Sequence, residues 1–349
     1  METTNPGAPG LKSIGAIKRR TAVASEESVT RSHPMFPDGG VPLVVEPAAD
    51  DVDLVSWARA EAKRLDAQLL EHGGILFRGF RMETPDDFER FIAAVSGELL
   101  EYRERSSPRS QVSGNVYTST EHPASQPIFL HNENSYQHTW PRKIFFMCDV
   151  EPQEGGETPL ADTRRVGKRL PEEIRRRFAE KGVMYVRNYG GGVGLSWQNV
   201  FQTEDPREVE AYCEGAGLQP EWKDGDRLRT RAVRPAFVRH PVTGEELWFN
   251  HAVFFHVTTL EPTVREALLA SFAEEDLPGN TYYGDGTPIE PEVMDALRAI
   301  YDEETVVFPW RRGDVLMLDN MTVAHGRSPF RGPRRILAGM SEPVSRDQV

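Results

Sequence analysis

Apolar side chains recur along the chain with two spacings, which predict helices and short strands in alternation. Helical spacing over residues 52–72 and 85–95 predicts two amphipathic helices, and Thr84 before Pro85 is typical of an N-cap. Nearly continuous apolar runs at residues 144–150 and 315–319 predict buried strands.

The order of these elements predicts the fold class. Helices come early, short strands occur throughout, and further helices are inserted between strands, as in residues 206–216 and 291–303. We therefore expect a mainly β fold with inserted helices, either a β-sandwich or a jelly roll. Residues 1–35 lack periodicity and are interpreted as a mobile tail. Residues 36–349 are then expected to form a single domain.

Composition narrows the classes of function. The chain has 349 residues and a formal net charge of −13, which argues against general nucleic-acid binding or a basic membrane-surface role. Two cysteines, Cys148 and Cys213, give no disulfide framework, and no apolar run is long enough to span a bilayer. We expect a cytoplasmic protein; the sequence does not determine its oligomeric state.

The candidate chemistry centres on His131-Asn132-Glu133, which follows a short apolar run. Side chains two positions apart on a strand point to the same face, so the imidazole and the carboxylate can converge. They supply two thirds of the facial triad that holds non-haem Fe(II). The best candidate for the missing histidine is His325. The triplet alone also fits a surface histidine beside a glutamate.

Other polar residues fall where such a site needs contacts. Thr158 follows the glycine pair at 155–156 and could lie close to the metal strand, although taken alone it is better interpreted as an ordinary turn threonine. The polar segment 102–120 fits either a surface loop or a substrate-contacting lid. His251 fits either a cavity position or a histidine bonded within the fold. Candidate substrate contacts are Arg105, Asn115, Tyr117, Asn134 and His251.

Taken together, four stretches resemble the taurine dioxygenase-like (TauD/TfdA) family of Fe(II)/2-oxoglutarate-dependent dioxygenases. They are His131-Asn132-Glu133-Asn134-Ser135-Tyr136, Gly155-Gly156-Glu157-Thr158-Pro159, His240-Pro241-Val242-Thr243-Gly244, and His325-Gly326-Arg327 through Arg334-Arg335-Ile336. The resemblance covers roughly residues 40–343 and implies a double-stranded β-helix, or jelly roll. His240 is interpreted as a turn residue without a role in the site.

The resemblance also implies site residues. His131, Glu133 and His325 match the ligands of Fe(II), which reacts with O2, and Thr158 matches the threonine that contacts the cosubstrate 2-oxoglutarate. Arg335 matches the arginine that grips the far carboxylate of 2-oxoglutarate through a planar, two-point contact. Since neighbouring strand residues point to opposite faces, only one of Arg334 and Arg335 should serve, and we expect Arg335.

Within the family, the chain is most similar to hydroxylases of amino-acid building blocks in nonribosomal peptide pathways. Many members have Asp where this chain has Glu133, and taurine-type enzymes have a substrate-binding arginine where it has Gly339. The resemblance implies antibiotic-type biosynthesis, with a substrate that is either free or tethered to a peptidyl carrier protein. An acidic carrier could dock on Arg103, Arg105 and Arg109.

Three alternatives stay open. The same cofactor chemistry can give desaturation or cyclisation instead of hydroxylation. A non-catalytic binding module would have lost ligands that this chain keeps, and a zinc hydrolase would leave Thr158 and Arg335 without a use.

Overall fold

A computed structural model describes residues 29–349, except 38, 98, 101–110 and 120–121. In that part of the chain the strands are β1 Thr30–Pro34, β2 Leu43–Pro47, β3 Gly74–Phe77, β4 Gln111–Ser113, β5 Val116–Thr118, β6 Ile128–His131, β7 Thr139–Val150, β8 Glu154–Gly155, β9 Leu160–Asp162, β10 Val183–Tyr189, β11 Gln219–Lys223, β12 Arg227–Arg234, β13 Phe237–Arg239, β14 Glu246–Trp248, β15 Gly279–Tyr283, β16 Thr305–Val306, β17 Val315–Asp319, β18 Val323–Arg327, β19 Phe330–Arg331 and β20 Arg335–Ser345.

Helices are inserted among the strands, as the hydrophobic pattern predicted. The α-helices are α1 Leu54–Ala60, α2 Ala62–His72, α3 Pro85–Ser96, α4 Thr163–Arg169, α5 Glu172–Lys181, α6 Trp197–Phe201, α7 Pro206–Ala216, α8 Pro262–Ser271 and α9 Pro291–Glu304. Short 3-10 turns occupy Val257–Thr259, Glu274–Asp276 and Arg346–Gln348.

Two sheets form the centre of the fold. The larger has the order β1-β2-β3-β17-β7-β20-β5-β4, and the smaller has the order β16-β9-β18-β6. Alternate residues of β7 point to opposite faces of the large sheet. Phe146 and Cys148 pack in one apolar cluster with Leu160 and Val323 of the small sheet, so the sheets face each other.

Helices cover the outer face of the large sheet. Phe145 and Met147 of β7 pack there against Phe88 and Phe91 of α3. The predicted start of α3 is confirmed, since the side chain of Thr84 accepts a hydrogen bond from the amide of Asp87. A mainly β fold with inserted helices is therefore what the chain adopts.

A third sheet, in the order β11-β12-β10-β15, flanks this centre. Strands β13 and β14 form a separate antiparallel hairpin, as the turn at 240–244 predicted. Among the described residues, no helix is long and apolar enough to cross a membrane.

Two sequence-based expectations about the fold need correction. Residues 1–28 lie outside the described residues, but Thr30–Pro34 is paired with β2, so the predicted tail cannot extend to residue 35. Closeness in sequence would favour an antiparallel pair formed by β18 and β20, which would bring Arg335 back towards His325. Instead β20 pairs with β7 and β5 in the large sheet, while β18 lies in the facing small sheet.

Candidate active site

Two histidines from distant parts of the sequence lie side by side in the small sheet. His131 ends β6, and His325 on β18 is its direct antiparallel partner. Their ring centroids are 4.6 Å apart. The ladder between β6 and β18 therefore brings together the two predicted histidines.

Glu133 completes the group just beyond the end of β6. Its Oε2 lies 3.9 Å from Nε2 of His131 and 3.9 Å from Nε2 of His325. The carboxylate is buried with 2% of the residue exposed. One ligand atom from each of the three residues lies within 4.8 Å of the others, an arrangement that could hold a metal ion.

The donor atoms suit a divalent metal. Nδ1 of His131 lies 2.9 Å from the carbonyl oxygen of Phe129, which can only accept, so we assign the proton to Nδ1. Nε2 then presents its lone pair towards Glu133. Metal–nitrogen and metal–oxygen bonds of about 2.0–2.2 Å allow one ion to bridge these atoms. Two imidazoles and one carboxylate are the ligand set of non-haem Fe(II) sites.

Thr158 lies beside the same strand as His325. Leu160 pairs with His325, and the amide of Gly326 donates to the carbonyl of Pro159 at 3.0 Å. Thr158 is buried, and its Oγ1 accepts a hydrogen bond from Nε1 of Trp310 at 3.1 Å. Since an indole N–H can only donate, the threonine hydroxyl keeps its own proton for another acceptor, such as a carboxylate.

The structure does not bring Arg335 towards this group. Its side chain is 53% exposed and pairs with Asp149. Arg335 and Ile336 sit at a register shift in the ladder with β7, and Ile336 packs in the cluster between the two sheets. Arg335 therefore belongs to the opposite face, and the expectation that it grips 2-oxoglutarate needs correction.

Arg334 is the neighbour that points inwards. Its Nε donates to the carbonyl of Gly156 at 2.8 Å, and its Nη1 lies 3.3 Å from Oγ of Ser119. Burial, together with the nearby Arg327, lowers the pKa of Arg334 to about 10. It stays charged at neutral pH and forms no ion pair with any described carboxylate. A half-buried guanidinium without a carboxylate partner among the described residues favours an anionic ligand.

Arg327 strengthens the positive potential there. Its two terminal nitrogens donate to the carbonyls of His122, Pro123 and Gln126. Burial lowers the pKa of Arg327. A carboxylate bound beside Arg334 would offset the free-energy cost of removing both cations from water.

The residues predicted to contact substrate lie in different parts of the structure. Tyr117 is buried in the cluster between the sheets, opposite Ala338. Asn115 instead donates to the carbonyl of Leu99 at 3.1 Å, in the turn between β4 and β5, which is a structural role. Asn134 follows Glu133 in the left-handed conformation and lines a cavity of about 390 Å³ that the triad side chains do not line. Arg105, with Arg103 and Arg109, lies outside the described residues.

His251 adjoins the histidine pair and packs with Tyr136, Phe254 and Phe255 in a group of rings that we call the aromatic wall. Its ring centroid is 5.7 Å from that of His131, and Nδ1 is hydrogen-bonded with Oγ of Ser135. Burial, with smaller effects of His131 and Arg187, holds the pKa of His251 well below its usual range. The same wall contains Phe254, which stacks on His131 at 4.4 Å, and Phe255.

The guanidinium of Arg187 packs against the aromatic wall. Arg187 shares a face of β10 with Tyr185 and Tyr189, because alternate residues point the same way. Its guanidinium carbon lies 5.5 Å from the ring centroid of Tyr136 and 6.0 Å from that of Phe255. Aromatic rings therefore pack on one side of His131, and the guanidinium of Arg187 lies against the far rings of that group.

Sequence reasoning missed Trp310, Phe254 and Arg187. Phe254 and Arg187 lie on segments whose apolar pattern predicts only packing, and Trp310 follows a proline in a short loop. A period-two pattern in Tyr185-Val186-Arg187-Asn188-Tyr189 was available as a signal for Arg187, since a charged residue between two aromatic ones shares their face.

A family model and two characterised sequences match most of the chain. The family model described as "Taurine catabolism dioxygenase TauD, TfdA family" matches residues 39–341. The chain is 45% identical over 280 residues to the dapdiamide synthesis protein DdaC of Enterobacter agglomerans, covering 80% of this chain and 85% of that protein. It is 32% identical over 317 residues to a clavaminate synthase-like protein of Arabidopsis thaliana, covering 86% and 93%.

Among solved structures, the chain is similar to PvcB of Pseudomonas aeruginosa. The TM-score is 0.56 with 17% identity, over 92% of this chain and 94% of that one. At this identity the match shows a shared fold.

Proposed function

The chain belongs to the TauD/TfdA family of dioxygenases, and from this premise we propose that it uses Fe(II) and 2-oxoglutarate to hydroxylate an amino acid, or a building block derived from one, in a natural-product pathway. The observation that carries the proposal is the convergence of His131, Glu133 and His325. Arg334, which donates to the carbonyl of Gly156, adds an inward-facing cation. The biosynthetic context is supported by the relatives: DdaC is named for dapdiamide synthesis, and PvcB is described as an Fe, alpha-ketoglutarate-dependent oxygenase from an isonitrile synthetic pathway.

The fold suits this chemistry. Two sheets face each other across an apolar cluster, and the two triad histidines lie on the small sheet, where the ring of His325 is 5.0 Å from that of Phe146 on the large sheet. We infer that they form the double-stranded β-helix, or jelly roll, expected for the family.

The triad residues would hold the metal, and other residues of the chain would bind and orient its partners. Bound Fe(II) with O2 and 2-oxoglutarate supplies the oxidation, in which a C–H bond becomes C–OH while 2-oxoglutarate yields succinate and carbon dioxide. Arg334 and the hydroxyl of Thr158 would bind the far carboxylate of 2-oxoglutarate, since each has a donor available for it. Trp310 fixes the direction of that hydroxyl by donating to its oxygen.

The aromatic wall indicates the type of substrate. Phe254, Phe255 and Tyr136 offer apolar surface, and Arg187 offers a cation at its margin. A molecule with an apolar body and a carboxylate fits such a surface. An amino acid or one of its acyl derivatives has this combination.

Anaerobic titration tests the proposal directly. Apo-protein is mixed with Fe(II) and 2-oxoglutarate, and the weak visible charge-transfer band of the chelate is recorded. Arg334→Ala and Arg335→Ala form a matched pair, because they remove neighbouring guanidinium groups on opposite faces. We expect a band in the wild type, a loss of 2-oxoglutarate affinity of roughly 10-fold or more in Arg334→Ala, and little change in Arg335→Ala.

The outcomes separate the parts of the proposal. Absence of the band in folded wild-type protein contradicts the oxygenase assignment, and tight zinc binding with hydrolysis would replace it. A loss confined to Arg335→Ala would return the carboxylate grip to that residue. Once a substrate shifts the band, the product mass distinguishes hydroxylation, which adds one oxygen, from desaturation or cyclisation, which removes two hydrogens.

A further inference from the structure

The turn that joins β17 to β18 holds the main chain of Glu133 through one side chain. Oδ1 of Asn320 accepts from the amide of Glu133 at 2.7 Å, and its Nδ2 donates to the carbonyl of Glu133 at 2.9 Å. Nδ2 also donates to the carbonyl of Pro141 at 2.8 Å. These partners fix which end of the amide is oxygen, since an N–H must face Oδ1.

Glu133 needs such a partner because it has left the ladder. His131 and His325 are held by strand pairing, whereas β6 ends at His131 and Glu133 lies in the turn that follows. The side chain of Asn320 satisfies both main-chain groups of Glu133, as a neighbouring strand would.

Asn320 is itself held rigidly. It is fully buried, its own amide donates to the carbonyl of Arg142 at 2.7 Å, and its carbonyl accepts from Nδ2 of Asn132 at 2.7 Å. Its position along the chain is set by Asp319. Oδ1 of Asp319 accepts from the amides of Met321 and Thr322 and so closes the turn.

His240 supports the turn from the β13–β14 hairpin. Its Nδ1 accepts from the amides of Val242 and Thr243, at 3.2 Å and 3.1 Å, so the proton must be on Nε2. Nε2 then donates to Oδ2 of Asp319 at 3.1 Å, and both side chains are fully buried. The motif that sequence analysis interpreted as a plain turn thus reaches the active site through Asp319.

We propose that His240, Asp319 and Asn320 are positioning residues that fix the carboxylate of Glu133 against the two histidines. None of them belongs to the group of three candidate metal ligands. The inference rests on the proposed metal site and adds a requirement for it: the affinity and geometry of the site depend on a hairpin outside the two central sheets. Partners that orient metal ligands commonly matter 10–100-fold for metal affinity.

The first test measures metal binding by Asn320→Ala. Co(II) is titrated anaerobically into apo-protein, and the visible spectrum reports both affinity and ligand geometry. We expect an affinity about 10–100-fold below the wild type and altered band positions. Asn280→Ala is the matched control, because Asn280 is another buried asparagine whose Oδ1 accepts a main-chain amide, that of Val257. It should lower stability without moving the spectrum.

A second pair of variants separates positioning from stability. Asparagine at 240 places its side-chain oxygen near the position of Nδ1, so His240→Asn keeps the turn but loses the donor to Asp319. Glutamine places its side-chain nitrogen near Nε2, so His240→Gln keeps that donor and loses the turn acceptor. We expect the Gln variant to bind Co(II) like the wild type and the Asn variant to bind several-fold more weakly.

Far-UV circular dichroism and thermal unfolding are recorded for each variant. Wild-type Co(II) affinity and spectrum in folded His240→Asn or Asn320→Ala would overturn the inference. Equal losses in the Asn and Gln variants that track their melting temperatures would also overturn it, because they indicate a purely structural role. Failure of the wild type to bind Co(II) would instead refute the proposed metal site.

Discussion

At the scale of single residues, the cation that faces the interior depends on which of two adjacent arginines points inwards. Arg334 and Arg335 are adjacent and chemically identical, yet Arg334 is half-buried against the carbonyl of Gly156, whereas Arg335 is largely exposed beside Asp149. The register shift between Arg335 and Ile336 disrupts the regular alternation there. Chemistry alone therefore cannot choose between them.

Removing the indole donor to Thr158 should weaken cosubstrate binding. In Trp310→Phe the ring is kept and the 3.1 Å hydrogen bond to Oγ1 is lost. With the hydroxyl no longer fixed, we expect the KM for 2-oxoglutarate to rise about fivefold, equivalent to roughly 1 kcal/mol, with little change in kcat. Succinate formation without added substrate measures this.

The control for that variant is Trp222→Phe. The indole of Trp222 donates to Glu210 on α7, in the flanking part of the fold. It should leave the KM unchanged. A KM rise of similar size in both variants would mean that the effect is general loss of stability.

The residues predicted from sequence show where such prediction works. His131 and Glu133 could be identified because their spacing is local, and His325 because the motif around it carried the resemblance. Which of Arg334 and Arg335 faces inwards could not be predicted, because the register shift beside them depends on the partner strand. Arg187 and Trp310 could not be predicted because the residues that they contact, such as Tyr136 and Thr158, are distant in sequence.

At the scale of elements, the two faces of β20 pack against different layers of the fold. Ile336, Ala338 and Met340 face the small sheet, whereas Leu337 packs under the outer helices. Gly339 shares that outer face: a Cβ there would lie 2.6 Å from Cδ1 of Ile92. Comparison with the taurine-type enzymes suggested that residue 339 is a substrate-binding position. Because Gly339 faces the outer helices, the absence of arginine there gives no information about the substrate.

Gly339→Ala should destabilise the protein by about 1–3 kcal/mol through overpacking against α3. Gly215→Ala, in α7 with no atom within 4 Å of the added Cβ, should stabilise it by about 0.5–1 kcal/mol. Urea unfolding measures both. Equal and small effects would show that the outer face of β20 adapts freely.

Elements were predicted well where the signal lies within the element. Helix α3 starts at its capping residue, and β17 covers the apolar run at 315–319. Pairing was predicted poorly, because β18 and β20 are close in sequence but belong to different sheets. Residues 328–334, which connect them, include β19, and β19 pairs with β8; no local pattern distinguishes this connection from a simple hairpin turn.

At the scale of the whole molecule, charges tie the helical layer to the large sheet. Asp66 of α2 lies 2.8 Å from Nζ of Lys143 and 2.8 Å from Nη2 of Arg142 on β7. Glu342 of β20 pairs with the same two cations. Burial alone would raise the pKa of Asp66, but Lys143 and Arg142 outweigh it and lower that pKa.

Asp66→Asn should therefore lower the free energy of unfolding by about 1–3 kcal/mol at pH 7. A carboxylate with a lowered folded-state pKa stabilises the fold above its unfolded pKa and loses this effect as pH falls through the folded value. The gap between variant and wild type should thus shrink below about pH 4. Denaturant unfolding across pH measures it, with the exposed Asp295→Asn as control.

The position of β6 has a consequence for the protein in the cell. β6 has four residues and is the edge strand of the small sheet in the part of the chain described, and His131 is its last residue. A metal ion bound to His131 and His325 would link the end of β6 to the middle of β18, as a removable crosslink. Iron supply would then govern the lifetime of the enzyme as well as its turnover, because starved molecules would expose this edge to proteases more often.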